Sequence, residues 1–263
     1  MIQEIGVVRH LHRFRHTLFA MEIELPGIAR MAKPGQFVHL RLEGIPEVLL
    51  RRPFSIAEVA EDWIKLIVKI VGTGTAGLAK YKIGRTCDAI GPLGEGFFYD
   101  DVEAAYLVGG GIGDAPLLFL QDELDKRGKK THFFLGARTH KEFPLEDESV
   151  SERGIIACTD DGSYGKAGFV TIVFEEHLQG GVEEGATVFS CGPVPMLKAA
   201  ARICEKYGLS HQVSLENRMG CGVGVCQGCA LKLQEGGERG GYRLVCQDGP
   251  VFDASSIDWS LIY

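Results

Sequence analysis

The sequence predicts an α/β plus β fold in three parts: an N-terminal antiparallel β-barrel, a doubly wound α/β domain and a small C-terminal module. Short runs rich in β-forming residues alternate with turns through residues 1–99, a spacing typical of antiparallel barrels. Apolar strands alternate with helical patterns through residues 100–215, which is how parallel sheets covered by helices are built. A glycine-rich stretch organised around four cysteines fills residues 216–263.

Composition limits the class of protein. The chain of 263 residues is 45% hydrophobic and carries a net charge of −7 from dispersed acidic residues. We therefore expect a globular core and no nucleic-acid binding, which needs a basic stripe. No apolar run is long enough to span a membrane, and residues 1–8 alternate like a strand rather than like a signal peptide. Eight cysteines, four of them clustered near the C-terminus, fit a reducing compartment, so we expect a cytoplasmic protein without membrane contact.

Four β-rich runs define the predicted barrel: residues 1–8, 18–25, 36–42 and 63–71. The turn Gly-Pro-Leu-Gly-Glu-Gly-Phe at 91–97 is predicted to close it. The run Arg-His-Leu-His-Arg-Phe-Arg-His at 9–16 is rich in histidine. Because it lacks a closed tetrahedral ligand set, we interpret it as the solvated end of a hairpin rather than as a metal site.

In the second part, a strand at 105–108 runs into a glycine-rich turn at 109–113 and then into a helix that ends near Arg127. The remaining strands and helical patterns alternate along the chain. Strands are predicted at 131–136, 154–158, 187–190 and 212–215, and helices around 172–177 and 195–207. Ligands of open α/β sheets bind at the carboxyl ends of the strands, so we expect a binding crevice there.

Two segments of the barrel carry the groups that a flavin requires. Residues 51–55, Arg-Arg-Pro-Phe-Ser, offer a guanidinium for phosphates, an aromatic face for the isoalloxazine ring and a hydroxyl for its polar edge. Residues 71–78 lead from a strand into a short helix, with Thr75 placed as a cap and N–H groups available to a diphosphate. Alone, the first segment could be an edge strand with an exposed arginine. Together the two segments predict FAD.

Two turns of the α/β part suit a dinucleotide. Residues 109–116, Gly-Gly-Gly-Ile-Gly-Asp-Ala-Pro, allow close backbone approach to a phosphate. They do not form the G-x-G-x-x-G fingerprint, and glycines in such turns also serve packing. Residues 190–196 place the Cys191 sulfur at the carboxyl end of the sheet, where the alternative is a buried cysteine that ends a strand. Residues 136–138 and 160–165 also follow strands and are predicted to line the same crevice.

Four cysteines, Cys221, Cys226, Cys229 and Cys246, follow the spacing C-x4-C-x2-C-x16-C. Plant-type [2Fe-2S] sites take three thiolates from one tight loop and a fourth from a later segment. Glycines between the first three cysteines let backbone N–H groups turn toward negative sulfur. A zinc site with four thiolates is the alternative, but zinc ribbons present two paired knuckles rather than a lone fourth cysteine. The spacing therefore favours a [2Fe-2S] cluster.

Taken together, the motifs resemble those of the ferredoxin-reductase superfamily. Their order is R-x-[YF]-S at 52–55, G-x-G-[ST] at 72–75, G-G-G-x-G-x-x-P at 109–116 and C-G-P-x-x-M at 191–196. The resemblance implies FAD contacts from Arg52, Pro53, Phe54, Ser55, Lys69, Ile70, Val71, Gly74 and Thr75. It also implies contacts with NAD(H), an exchangeable substrate, with Cys191 near the nicotinamide. These contacts come from Gly110, Gly111, Gly113, Cys191, Gly192 and Pro193.

The segments 215–226 and 246–252 narrow the resemblance to the electron-transfer subunits of the class B dihydroorotate dehydrogenases, over nearly the whole chain. Such a subunit is a relay: FAD exchanges a hydride with NAD(H) and the cluster carries single electrons. A separate FMN-containing catalytic subunit oxidises dihydroorotate to orotate in pyrimidine biosynthesis, in a heterotetramer with two copies of each chain. In agreement, the sequence offers no further set of base, cations and apolar pocket for a small carboxylate substrate.

Two residues depart from the superfamily pattern. Phe54 stands where many members carry tyrosine, which keeps the aromatic face and removes a hydroxyl. Asp114 stands where a small neutral residue is commoner, and we consider two roles for it. It could bond a ribose hydroxyl, which would favour NADH over NADPH, or it could complement the helix dipole.

The sequence alone leaves two alternative functions open. The nearest is another flavin and iron–sulfur subunit, belonging to an NADH-dependent ferredoxin:NADP oxidoreductase or a sulfide dehydrogenase. The alternative from a different class is a zinc-stabilised binding module without redox chemistry. Bound flavin and cluster would colour the protein, whereas zinc would not.

Overall fold

The first 99 residues form a curled antiparallel sheet in the computed structural model, which describes residues 1–45, 48–234 and 241–262. Seven strands and two short helices make up this part. The strands are β1 (Ile2–Arg15), β2 (Leu18–Glu24), β3 (Phe37–Arg41), β4 (Arg52–Ser55), β5 (Glu58–Val59), β6 (Trp63–Lys69) and β7 (Thr86–Leu93), and the helices are α1 (Pro26–Met31) and α2 (Thr73–Leu78).

The strand order of this sheet is β4-β3-β7-β1-β2-β6-β5, and neighbouring strands are antiparallel. Strands β4 and β6 also contact each other although they are not neighbours in the order, so the sheet curls into a barrel with a seam between them. Alternate side chains of β2, such as Phe19, Met21 and Ile23, are fully buried inside the curl. The predicted barrel is therefore confirmed.

The histidine-rich run is the end of the β1–β2 hairpin, because Arg15 pairs with Leu18 across the turn. This confirms the predicted hairpin end. The end is only partly solvated, since the Arg15 guanidinium lies 2.7 Å from the Asp147 carboxylate. His12 lies 3.1 Å from Glu146 in the same way, so the hairpin reaches across to the second domain.

Residues 100–215 form a parallel sheet covered by helices. Its strands are β8 (Ala104–Gly110), β9 (Lys130–Ala137), β10 (Ile156–Thr159), β11 (Lys166–Ala167), β12 (Ala186–Cys191) and β13 (Ser210–Ser214). Its helices are α3 (Ala115–Lys126), α4 (Asp147–Glu152), α5 (Val170–Gln179) and α6 (Val194–Tyr207), with 3-10 turns at Gly111–Asp114 and His140–Glu142.

The strand order β11-β10-β9-β8-β12-β13 places β8 in the centre, with later strands added on both sides. This is the predicted doubly wound topology, which is confirmed. All six strands run in parallel, so their carboxyl ends share one edge of the sheet. The order of strands reverses between β8 and β12, where Gly109 pairs with Cys191. Crevices form at such reversal points because the connections diverge to opposite faces.

The cysteine-bearing segment packs against both earlier parts. It contains β14 (Ala230–Lys232), β15 (Tyr242–Leu244), β16 (Val251–Asp253) and a 3-10 turn at Ala254–Ser256. Strand β16 pairs antiparallel with β13 and extends the α/β sheet. Its apolar core joins Phe37 of the barrel with Val213 of the α/β sheet, so the segment is wedged between them. The boundaries after residues 99 and 215 stay predictions.

Within the described ranges, every helix is too short or too polar to cross a membrane.

Candidate functional site

A cavity of about 620 Å³ opens at the barrel seam between β4 and β6, and we call it the barrel cavity. Eight of the nine residues predicted for FAD line it: Arg52, Pro53, Phe54, Ser55, Lys69, Val71, Gly74 and Thr75. The ninth, Ile70, packs against the barrel core instead. The volume lies within the usual range for cofactor sites, roughly 300–1,000 Å³, so the residues fit a flavin dinucleotide.

Strand β4 is an edge strand of the sheet, bonded only to β3 in the described order. The alternative interpretation of the Arg-Arg-Pro-Phe-Ser segment, an edge strand, is confirmed. The free side of this strand also faces the barrel cavity, and its contact with a flavin stays a prediction. The Arg52 guanidinium donates to the Leu50 carbonyl at 2.8 Å, which orients the group beside the opening. Proline at the second position is tolerated because an edge strand need not donate every N–H.

Thr75 caps α2, as predicted, but it does so from within the helix rather than from the residue before it. It is the third residue of the helix, and Gly72 precedes the first. The Thr75 hydroxyl accepts hydrogen bonds from the Val71 N–H at 2.9 Å and the Gly72 N–H at 3.3 Å. It therefore reaches back and fixes the strand-to-helix turn, and these two N–H groups are already bonded within the chain.

A second cavity, of about 610 Å³, lies along the carboxyl edge of the α/β sheet, and we call it the sheet-edge cavity. Five of the six residues predicted for NAD(H) line it: Gly110, Gly111, Gly113, Gly192 and Pro193. Arg138 and Asp160, which follow β9 and β10, line it as predicted. A Cβ atom at Gly113 would lie 2.4 Å from the Cys191 carbonyl oxygen, so this close crossing of two strand ends requires glycine.

Cys191 itself is only 2% exposed. Burial raises the pKa of its thiol far above the ordinary value, so the sulfur stays neutral. The burial matches the alternative considered for this residue, a cysteine that ends a strand inside the protein.

The two cavities meet at three shared lining residues, Lys69, Ile112 and Glu216. The Lys69 ammonium lies 3.0 Å from the Glu142 carboxylate, which also accepts from Arg138 at 2.8 Å. These two cations hold the pKa of Glu142 below its ordinary value. Ligands in the two cavities would therefore approach each other across this junction.

Sequence reasoning missed Glu216 as a residue of the junction. It follows β13 at the carboxyl edge of the sheet, and that position was the available signal. Its surface is open to the cavities, yet the surrounding protein raises the pKa of its carboxyl by removing hydration. An acidic group with a raised pKa in a cleft is suited to hydrogen bonding or proton exchange with a bound ligand.

Three of the four cysteines lie in the loop that follows Met219, a residue of the barrel cavity, and the fourth, Cys246, shares an apolar core with Cys229. The Cys229 and Cys246 sulfurs are 3.2 Å apart, and both residues are 2% exposed. Cys226 is exposed and Cys221 is half-buried. The set therefore spans from the core of the segment to its surface.

Backbone N–H groups point at these sulfurs. The Gly224 N–H lies 3.2 Å from the Cys246 sulfur, and the Cys226 N–H lies 3.3 Å from the Cys221 sulfur. Positive φ angles of 72° at Gly222 and 80° at Gly224 turn the loop inward. Burial opposes ionisation of Cys221, but N–H donors outweigh it and lower the pKa of that thiol to about 7. The loop thus provides the polar surroundings that an anionic metal cluster needs.

The spacing of the cysteines separates the two metal interpretations, because zinc ribbons present two paired knuckles whereas Cys246 stands alone. A binuclear cluster divides its thiolates between two irons, with three from one loop and one from a later segment. Within the part of the chain that the structure describes, no group of three or more His, Cys, Asp or Glu side chains is arranged to hold a metal ion.

The structure overturns the proposed ribose contact of Asp114. This residue is 0% exposed, and neither carboxylate oxygen has a hydrogen-bond partner among the described residues. Burial raises the pKa of the carboxyl well above its ordinary value. The side chain points into the protein rather than into the sheet-edge cavity.

Comparisons with known proteins agree with this geometry. A family model described as the iron-sulfur cluster binding domain of dihydroorotate dehydrogenase B matches residues 216–258. A protein of Fusobacterium nucleatum subsp. nucleatum named dihydroorotate dehydrogenase B (NAD(+)), electron transfer subunit, is 41% identical over 249 residues, covering 91% of this chain and 92% of that protein. The protein of the same name from Shouchella clausii is 38% identical over 245 residues, covering 90% and 91%.

Two solved structures share the fold. One, described as an NADH-dependent reduced ferredoxin-NADP oxidoreductase studied for flavin-based electron bifurcation, is 28% identical with a TM-score of 0.85, over 98% of this chain and 91% of that one. The other, phthalate dioxygenase reductase, is 17% identical with a TM-score of 0.67, over 97% and 96%. The second likeness concerns the fold alone.

We expect Asp114→Ala to stabilise the protein, and to do so more at high pH. The buried carboxyl has a raised pKa in the folded state and 3.8 as its ordinary value. The free-energy cost of burying the ionised carboxylate is therefore absent below the ordinary pKa. This cost grows as pH rises toward the pKa of the folded state. Removal of an unsatisfied buried polar group should stabilise the protein by about 1–3 kcal/mol, and the gain in Tm should be larger at pH 8 than at pH 5. Asp101→Ala, at an exposed position, is the control, and equal pH profiles of the two variants would refute the expectation.

We expect Cys226→Ser to lose or cripple the cluster while FAD stays bound, because serine supplies a poorly acidic hydroxyl in place of a soft thiolate. Iron content and electron paramagnetic resonance of the reduced protein measure the cluster, and flavin absorbance measures FAD. Cys204→Ala, which changes a buried cysteine of α6 that belongs to a different apolar core from Cys229 and Cys246, should keep both. An unchanged resonance signal in Cys226→Ser would remove this residue from the ligand set.

Proposed function

The chain belongs to the family of the electron transfer subunits of dihydroorotate dehydrogenase B, and from that membership we propose that it passes electrons between NAD(H), FAD and a [2Fe-2S] cluster to or from a catalytic partner subunit. One observation carries the proposal. The sheet-edge cavity shares Lys69, Ile112 and Glu216 with the barrel cavity. The barrel cavity in turn includes Met219, two residues before Cys221. The three sites therefore lie next to one another in the order in which electrons would pass: the sheet-edge cavity, the barrel cavity and the cysteine loop.

In this proposal the barrel cavity holds FAD. Phe54 offers an apolar face at the seam, Arg52 offers a cation for phosphate, and the glycines around Thr75 allow a close approach of the backbone. Bound FAD supplies the conversion between hydride transfer and single-electron transfer. The chain's own contribution is to orient the flavin toward the junction, with Lys69 held by Glu142, and to limit access of water there.

NAD(H) occupies the sheet-edge cavity, with the nicotinamide at the junction and the adenosine at the far end. Strand β13 ends at the junction and β10 lies four strands away. At about 4.8 Å between neighbouring strands, this is roughly 19 Å, a span suited to an extended dinucleotide. The adenosine ribose then lies near Asp160, which lines the cavity just after β10.

The cluster is held by Cys221, Cys226, Cys229 and Cys246, and electrons leave near its exposed side. Val225 is 80% exposed beside Cys226 on this loop, so a partner subunit can approach the cluster closely there. We assign the partner as the FMN-containing catalytic subunit that oxidises dihydroorotate, in a heterotetramer with two copies of each chain. A cytoplasmic location suits the eight cysteines, all of which are free.

A subunit of an NADH-dependent ferredoxin-NADP oxidoreductase is the second candidate, because the structure described in that way matches 98% of this chain with a TM-score of 0.85. Identity favours the first candidate, at 41% against 28%. A zinc-stabilised binding module does not fit the matching family model, which describes an iron-sulfur cluster binding domain.

We expect the isolated chain to oxidise NADH with an artificial electron acceptor, because hydride transfer needs only the two adjoining cavities. It should not oxidise dihydroorotate. Addition of an FMN-containing dihydroorotate dehydrogenase subunit should couple dihydroorotate oxidation to NAD reduction, measured as NADH formation at 340 nm. Conversion of dihydroorotate to orotate by the chain alone would show that the relay assignment is wrong.

We expect preference for NADH to depend on Asp160 rather than on Asp114. A carboxylate beside the adenosine ribose can accept its hydroxyl hydrogen bonds and repels a 2′-phosphate. Asp160→Asn should therefore raise the ratio of kcat/KM for NADPH to that for NADH on the order of ten-fold, or about 1.4 kcal/mol. Asp161→Asn is the matched control, since the Asp161 carboxylate is bonded to Ser163 at 2.6 Å. Equal ratios in the two variants would exclude this role for Asp160.

A further inference from the structure

His39 joins the barrel to the cysteine loop. It lies in β3 and is 0% exposed. Its Nδ1 atom is 3.1 Å from the backbone carbonyl oxygen of Cys221, which is 182 positions later in the chain. A carbonyl oxygen only accepts hydrogen bonds, so Nδ1 carries the hydrogen and donates it. The contact therefore fixes the tautomer of the ring and holds the first cysteine of the loop.

The loop is shaped around this imidazole ring. Gly222 has a φ of 72°, and a Cβ atom there would lie 2.4 Å from Nδ1 of His39. A larger residue could not occupy this position without displacing the ring or the loop, because the ring fills the space where its side chain would begin. The second ring nitrogen, Nε2, is buried without a hydrogen-bond partner among the described residues. Burial of an unbonded polar nitrogen is unfavourable. The ring nevertheless takes the orientation in which Nδ1 bonds to Cys221 and Nε2 stays unbonded.

The backbone of the same residue lies beside the segment assigned to FAD. His39 pairs with Pro53 across β3 and β4. Arg51 reinforces this corner, since its guanidinium lies 2.7 Å from the Asp88 carboxylate and also donates to the Asp88 carbonyl at 2.8 Å. One residue thus touches the FAD segment through its backbone and the Cys221 backbone through its side chain.

We propose that His39 is a positioning residue for the [2Fe-2S] cluster, which fixes the Cys221 side of the loop against the barrel and so sets the surroundings of the iron that Cys221 binds. The inference rests on the cluster assigned above and goes beyond it. A hydrogen bond to the carbonyl of a ligand residue restrains the orientation of that ligand, and such outer contacts tune affinity and potential. The rate of electron transfer falls steeply with distance, so the same restraint governs transfer from flavin to cluster.

The test compares three holoproteins: the native chain, His39→Leu and His39→Asn. Leucine fills the space but cannot donate, whereas the amide nitrogen of asparagine can take the place of Nδ1. His39→Leu should change the resonance signal and midpoint potential of the reduced cluster and slow its reduction by NADH about ten-fold. His39→Asn should restore all three measurements toward the native values. FAD content, measured by absorbance, reports whether each variant has folded.

His39→Gln provides a second comparison if the leucine variant does not fold, because its amide lies at the position of Nε2 and should not restore the contact. Native signal, potential and reduction rate in His39→Leu or His39→Gln would overturn the proposal. So would a rescue by glutamine equal to that by asparagine. Absence of a cluster signal in the native chain itself would instead contradict the proposed function, so the two failures are distinguishable.

Discussion

Packing of the cysteine segment between the two sheets is the interaction on which the other arrangements depend. Phe37 of the barrel, Val213 of the α/β sheet and Phe252 of β16 share one apolar core, and each is at most 8% exposed. Burial of such side chains contributes roughly 1.5–3 kcal/mol each, more than the partly exposed ion pairs between the domains. Because β16 also pairs with β13, the segment cannot shift without breaking a sheet. The cysteines are therefore held at a fixed place beside both cavities.

Burial and backbone donors act in opposite directions on the thiols. Burial is the main cause that raises the pKa of Cys158 to about 12, and it does the same for Cys204 and, together with the neighbouring Cys229, for Cys246. The thiol of Cys221 differs because N–H groups of its own loop face the sulfur and lower its pKa to about 7. Thiolates are the form of cysteine that binds metal. The backbone of the loop thus favours the metal-binding form at the first cysteine of the set.

The parts predicted from the sequence are those encoded by short contiguous segments. The Arg-Pro-Phe-Ser segment at 52–55 and the cysteine spacing carry their chemistry within a few residues, so each motif lies within one of the candidate sites. Contacts between distant segments could not be predicted in this way. His39 stands in a buried strand and has no sequence signal for its bond to Cys221. Asp114 lies in a recognisable turn, yet only the packing around it reveals that its carboxyl faces inward.

The two cavities determine which cofactors the chain can use, but they do not determine its final electron partner. The protein described as a ferredoxin-NADP oxidoreductase matches 98% of this chain, and the Fusobacterium nucleatum subunit matches 91% of it. A shared interior is therefore compatible with different partners. Partner choice must then depend on the surface nearest the cluster, where electrons leave. Four consecutive residues of that loop are exposed: Val225, Cys226, Gln227 and Gly228. Differences at this rim can therefore select a partner, whereas the packed interior that relays the electrons stays the same.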